Sequence, residues 1–163
     1  MSRQRIEDVI HDVLRGGARE RALEFAGHLR ANEMLFERGC GYWEDKFYWL
    51  VTYKNEYVCF ILINDAGEMG ASWTIWSDES PSNWFEDFPL DERMKEIAWE
   101  HVDFCGNCGG DCTPGARKIV FGREFHNVCR TTMKFDDPDA EALVCAKKMV
   151  DIRKIDISER GEA

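Results

Sequence analysis

Apolar residues at Ile6, Val9, Ile10, Val13 and Leu14 fall at the spacing that lines one face of a helix, and Gly16-Gly17 marks its end. From about Ala18 a second stretch carries Ala22, Phe25, Ala26 and Leu29 at i, i+3, i+4 and i+7, with charges between them. Two amphipathic, half-buried helices therefore open the chain. Arg15, Arg19, Arg21 and Arg30 alternate with acids there and read as a solvated helix face.

After Gly39-Cys40-Gly41 the composition turns aromatic and β-branched. Residues 47–53 (Phe-Tyr-Trp-Leu-Val-Thr-Tyr) and 57–63 (Tyr-Val-Cys-Phe-Ile-Leu-Ile) read as strands of an antiparallel hairpin around a turn at Lys54-Asn55-Glu56. Both alternating sets in each strand are apolar, which predicts a sheet covered on both faces or lining a pocket on one. A third strand is predicted over 71–76. The loop from Ser77 to Pro89 holds Trp84, Phe85 and Phe88, aromatics expected to fold back on the sheet.

Asp91 is the predicted N-cap of a helix with Met94, Ile97, Ala98 and His101 on one face, running directly into Cys105. Residues 117–121 and 125–135 read as strands broken at Gly122. A last helix is predicted with Asp137 as cap, Pro138 at its first position and Ala142, Cys145, Met149 and Ile152 as its buried stripe. The order gives an α+β fold: an antiparallel sheet of about five strands, two N-terminal helices, a middle helix, a C-terminal helix and a Cys-rich metal loop. A single domain over 1–163 is expected, with a helical part at 1–38, sheet and Cys-rich loop at 42–135 and the closing helix at 138–156.

Composition narrows the partners. Against 21 basic residues stand 31 acidic ones, a net charge of −10 without a visible basic patch, which excludes nucleic acid as the expected partner. No apolar h-region follows Met1-Ser2-Arg3-Gln4-Arg5, and no run approaches the roughly 18 to 20 apolar residues of a membrane span. The expected location is the cytoplasm. Seven cysteines, an odd number, in a reducing compartment point to metal binding or reactive thiols in preference to disulfides.

The stretch Cys105-Gly106-Asn107-Cys108-Gly109-Gly110-Asp111-Cys112 brings three thiols together on a glycine-rich backbone, and Cys129 follows on a predicted strand. Zinc takes four tetrahedral ligands, two in a tight turn and a second pair nearby, so Cys105, Cys108, Cys112 and Cys129 form the expected Zn2+ set. His101 is the alternative fourth ligand, placed one helical turn before Cys105, and His126 is a further candidate. Iron, as an iron–sulfur cluster, can use the same four thiolates. With no open coordination position such a zinc is structural. Cys40 is an ordinary thiol on this reading, and Cys59 and Cys145 are packing residues.

Tyr48, Trp49, Tyr53, Trp73, Trp76 and Trp84 are numerous enough to line a ligand cleft, and are also what a small sheet core would use. Acids at Glu44, Asp45, Asp65, Glu68, Asp78, Glu79, Glu86 and Asp87 gather near strand ends without a spacing that names a reaction. Phosphate-loop, dinucleotide, nucleophile-elbow and zinc-protease motifs are absent from the sequence.

The segment Thr131-Thr132-Met133-Lys134-Phe135-Asp136-Asp137-Pro138, followed by Lys147-Lys148-Met149-Val150-Asp151-Ile152-Arg153, resembles the closing strand and helix of the YdhG-like family of small bacterial α+β domains. Two helices ahead of two aromatic strands are similar in order. A branch of that family is described as frataxin-like iron chaperones, so the resemblance implies a bacterial sheet-and-helix domain holding iron through acidic surface residues. The cysteine cluster and the Trp-rich loop depart from its pattern.

Three readings of function follow. One is a non-enzymatic domain with a structural zinc that binds a small molecule or a protein partner. The others are a frataxin-like iron-binding or iron-donor protein, and a thiol-based enzyme or redox sensor.

Overall fold

The strands form a sheet with apolar residues on both faces, and the second and the last of the described helices pack against one of them. The computed structural model describes residues 5–39, 47–64, 72–77, 85–86, 88–105 and 115–161. Among these the order is α1 (Ile6–Val13), α2 (Gly16–Ala31), β1 (Leu35–Arg38), β2 (Phe47–Tyr53), β3 (Glu56–Ile63), β4 (Trp73–Ser77), α3 (Glu92–Glu100), β5 (Val102–Phe104), β6 (Ala116–Val120), β7 (Arg123–Asp136) and α4 (Ala140–Gly161). The fold is α+β. Its antiparallel sheet runs β1-β2-β3-β4-β7-β5, and β6 also pairs with β7.

Register assigns the faces, because directly paired residues point the same way. Trp49, Ile61, Ile75 and Phe135 pair in turn across β2, β3, β4 and β7. All four are buried. Ala146, Met149 and Val150 of α4 pack against Cys59, Ile75 and Phe135, and Phe25 of α2 meets Trp73 with ring centroids 6.2 Å apart. Burial of one such aliphatic side chain contributes roughly 1.5–3 kcal/mol. The opposite face carries the rows Leu50–Phe60–Trp76–Lys134 and Tyr48–Leu62–Thr74–Asp136. Phe60, Leu62 and Thr74 are buried there too.

Local chemistry explains where the elements begin and end. Lys54 and Asn55, at φ 50° and 68°, make the two-residue turn between β2 and β3 with the twist that an antiparallel hairpin favours. Asp91 caps α3, its carboxylate accepting from the Met94 N–H at 2.8 Å. The stripe Ala142, Cys145, Met149 and Ile152 of α4 is buried.

Several boundaries differ from the sequence reading. Gly16-Gly17 does not end α1: Leu14 and Arg15 are extended, and the glycines form the first turn of α2 with Gly16 at φ 54°. Arg15 and Arg19 are not merely solvated, since their guanidiniums donate to the His11 carbonyl at 3.2 and 2.9 Å and satisfy the open end of α1. Strand β1 is additional, a four-residue edge too short to declare a period. At the other end Asp139, not Asp137, accepts from the Ala142 N–H at 2.9 Å. Asp137 is drawn to the sheet, where it accepts from the Ser72 N–H at 2.9 and 3.1 Å.

Two charged contacts tie helices to this frame. Arg153 of α4 is 1% exposed; it donates to the Tyr57 carbonyl at 3.0 Å and to Asp156 at 2.6 Å, with Glu56 at 3.9 Å. A buried guanidinium held this way fixes α4 against the β2–β3 hairpin. Removing it strips Tyr57 and Asp156 of a charged donor, so Arg153→Ala is expected to cost about 2–4 kcal/mol in urea unfolding, with Arg153→Lys restoring only part.

Glu7 of α1 takes both arms of Arg30 of α2, at 2.5 and 3.1 Å. The hydrogen bond from Arg30 holds the Glu7 carboxyl below its ordinary value, with partial burial opposing. A carboxyl with a depressed folded-state pKa stabilises above its unfolded value and loses that contribution as pH falls through the folded one. Glu7→Gln should therefore be less stable by up to about 1 kcal/mol at pH 7. The difference should shrink as pH falls through and below the ordinary glutamate range in parallel thermal melts.

Candidate metal centre and aromatic face

Helix α3 stops at Glu100, and the chain continues to the cysteine stretch as a strand. Val102 and Phe104 suit an edge that pairs with β7, and the pairing is made: Lys134 donates to the His101 carbonyl at 2.9 Å, Val102 pairs with Met133 and Phe104 with Val128. The expected helix into Cys105 is thus replaced by β5. Its consequence falls on His101, which is the C-cap of α3 and not one helical turn from Cys105. Four residues of largely extended chain span about 13 Å. The His101 ring is engaged locally, its Nδ1 2.8 Å from the Ile97 carbonyl and its plane stacked on Phe135 at 4.6 Å.

At the other end of β5 the backbone of Cys105 is fixed by its N–H donating to the Asn127 carbonyl at 2.8 Å. Ala116, the first residue of β6, pairs with Val128 from the opposite edge of β7. Val128 is therefore flanked by Phe104 on one side and Ala116 on the other, and the two ends of the 105–115 connection meet at one place. Gly115 is what lets them meet. A Cβ there would lie 2.7 Å from Cys105 Cβ and 2.8 Å from the carbonyl carbon of Asn127.

Cys129 follows Val128 on β7 and, like Cys105, is half-buried. Thr131 Oγ1 donates to its sulfur at 3.6 Å. The Asp103 carboxyl is raised above its ordinary value, chiefly by burial; Lys134 and a hydrogen bond with Cys129 oppose the rise. Two of the four predicted thiol ligands thus stand near each other, Cys105 just past the end of β5 and Cys129 on β7, where the 105–115 connection closes. Cys108 and Cys112 lie outside the described residues, as does Cys40, and among the described residues no three His, Cys, Asp or Glu side chains form a metal-sized group.

The remaining histidine and thiols have other surroundings. His126 is on the exposed β6–β7 hairpin, its Nε2 2.8 Å from Glu124. Cys59 and Cys145 are fully buried, and burial pushes the Cys145 thiol up to about 12, which keeps it protonated and inert.

The six aromatic candidates do not share one wall. Trp49, Tyr53 and Trp73 are buried in the core beneath the helices. Tyr48 and Trp76 are half-buried on the opposite face, Tyr48 stacked on Phe60 at 6.2 Å and Trp76 beneath the Lys134 ammonium at 5.7 Å. Trp84 lies outside the described residues. Lys134 and Asp136, which sequence reasoning did not single out, join this face through their register with Trp76 and Thr74. Only the pairing of β4 with β7 could have revealed them.

Comparison with protein-family models, with curated proteins and with solved structures finds no match.

The crowding at the loop's closure is directly testable. Gly115→Ala is expected to lower stability by about 1–3 kcal/mol in thermal unfolding. Gly27→Ala, a helix position where an added methyl meets nothing within 4 Å, should instead raise it by about 0.5–1 kcal/mol.

Proposed function

We propose that the chain is a non-enzymatic cytoplasmic binding domain for a small molecule or a protein partner, in which Cys105, Cys108, Cys112 and Cys129 hold a structural zinc. The observation that carries the zinc is the closure at β7: Cys105 and Gly115 are brought together beside Asn127, next to the strand position of Cys129. Two ligands prepositioned by β5 and β7 would lower the ordering cost of closing the connection around a metal. Four thiolates complete the tetrahedron, leave no site for substrate or water, and make metal affinity part of folding stability. The local engagement of His101 favours Cys129 as fourth ligand.

Metal analysis of protein purified without added metal tests this reading. One zinc per chain is expected, with loss of zinc in Cys129→Ser and retention in His101→Ala. Stripping by a strong chelator should lower the melting temperature by about 10 °C. Metal-free protein with an unchanged melting temperature would overturn the clasp. Visible absorption with iron and sulfide would assign the same thiolates to an iron–sulfur cluster, and saturable ferrous binding that survives replacement of the cysteines would favour the iron-handling reading.

A further inference from the structure

Val144, Lys148, Asp151 and Ile155 lie on the outward side of α4, at i, i+4, i+7 and i+11. Alternating steps of four and three residues keep such a stripe in line over three turns of helix. We propose that two copies of the chain pair through this stripe, α4 against α4 and antiparallel, as a two-fold symmetric dimer. The dimer goes beyond the zinc reading and does not rest on it.

The stripe is complementary to itself. When it is turned end for end about a two-fold axis level with Met149 and Val150, Val144 faces Ile155 of the second copy and Lys148 faces Asp151, and each contact occurs twice. Val144 is 52% exposed and Ile155 43%, on a helix whose other large apolar residues are buried. A parallel alignment would instead set Lys148 against Lys148 and Asp151 against Asp151, like charges that repel.

The charged pair is available. Lys147 is taken by Glu24 at 3.2 Å, Lys154 by Asn32 at 3.3 Å and Arg153 by the Tyr57 carbonyl, whereas Lys148 is exposed and makes no ion pair among the described residues. Asp151 meets His28 Nε2 through one oxygen, Oδ1, at 2.8 Å. A carboxylate accepts on both oxygens, so Oδ2 can take the Lys148 ammonium of the second copy while the His28 contact is kept and holds Asp151 in place.

Hollows on either side of the His28–Asp151 pair suit the apolar ends of the stripe. Val144 lines one of about 390 Å³ together with half-buried Leu90 and Met94, and Ile155 lines the other, of about 460 Å³. In the antiparallel alignment Ile155 of the second copy enters the first hollow and its Val144 the second, as knobs into holes. Four facing positions are fewer than the roughly 20–30 residues a side of a standard interface, so association is expected in the micromolar range.

Sedimentation equilibrium of the purified full chain from about 1 to 200 μM tests the interface, with a thiol reductant present to exclude cystine-linked dimers. A reversible monomer–dimer equilibrium is expected. Val144→Ser and Ile155→Ser should each weaken it about tenfold, with the melting temperature unchanged because both side chains are exposed. Leu35→Ser, at a still more exposed apolar position on β1, should leave it intact. Lys148→Glu and Asp151→Lys should each abolish the dimer in this range, since both charged pairs across the axis then repel. Mixing those two variants in equal amounts should restore association to near the original level, because both pairs are again opposite in sign. A change within one copy cannot produce that rescue. Monomer throughout the range, association that survives in the Val144→Ser/Ile155→Ser double variant, or a mixture of the two folded charge variants that associates no better than either alone would overturn the proposal.

Discussion

Strand β7 serves three neighbours, and the remainder of the sheet depends on how it manages that. Its first half pairs with β6, its middle with β5 and its last residues with β4. Pairing changes hands near Asn127 and Thr132, which adopt φ 57° and 68°. Asn tolerates the left-handed region, while a β-branched residue pays on the order of 1–3 kcal/mol for it. Thr132 is held there by its surroundings: fully buried, its Oγ1 accepts from Lys118 Nζ at 2.7 Å, and the Met133 N–H beside it donates to Ser77 Oγ at 3.1 Å. Tertiary contacts therefore impose the bend, and the bend lets β5 and β6 approach Val128 from opposite edges.

Closure of the cysteine loop follows from that bend. Without β5 and β6 on either side of Val128, the chain entering at Cys105 and leaving at Gly115 would have no reason to meet, and bringing the ends of the 105–115 connection together would cost loop entropy with nothing to offset it. With them, the backbone itself brings Cys105 and Gly115 together. The same geometry separates the core from the outer aromatic face: Phe135 of β7 completes the row under α4, while Lys134, one residue earlier, completes the row that carries Trp76.

The strongly periodic parts of the chain were legible in the sequence. Strands β2 and β3, the stripe of α4 and the Asp91 cap announce themselves by alternation, helical spacing and side-chain chemistry. Strands β1 and β5 do not, because three or four residues hold too little of a period, and because His101 falls in phase with Met94, Ile97 and Ala98 whether or not the helix continues. Asp137 and Asp139 are equally good caps in isolation; the choice is made by β4, which recruits Asp137 to the Ser72 N–H. Alternation also could not say which set of aromatic residues lies under the helices, so Trp49 and Trp73 stood beside Tyr48 and Trp76 until register separated them. Proximity of Cys105 to the strand of Cys129 was readable from a predicted return of the chain. That His101 is turned away was not, since it depends on where α3 ends.

The basic residues carry the last step. On a chain with 31 acids and 21 bases, attraction to neighbouring carboxylates and carbonyls is available almost everywhere, and most cations described are absorbed by it. Arg15 and Arg19 close α1, Arg153 is consumed by the β2–β3 hairpin, and Arg117 pairs with Glu124 at 2.7 Å. Each of these contacts lies along one element or between two packed ones, as structural economy alone would arrange.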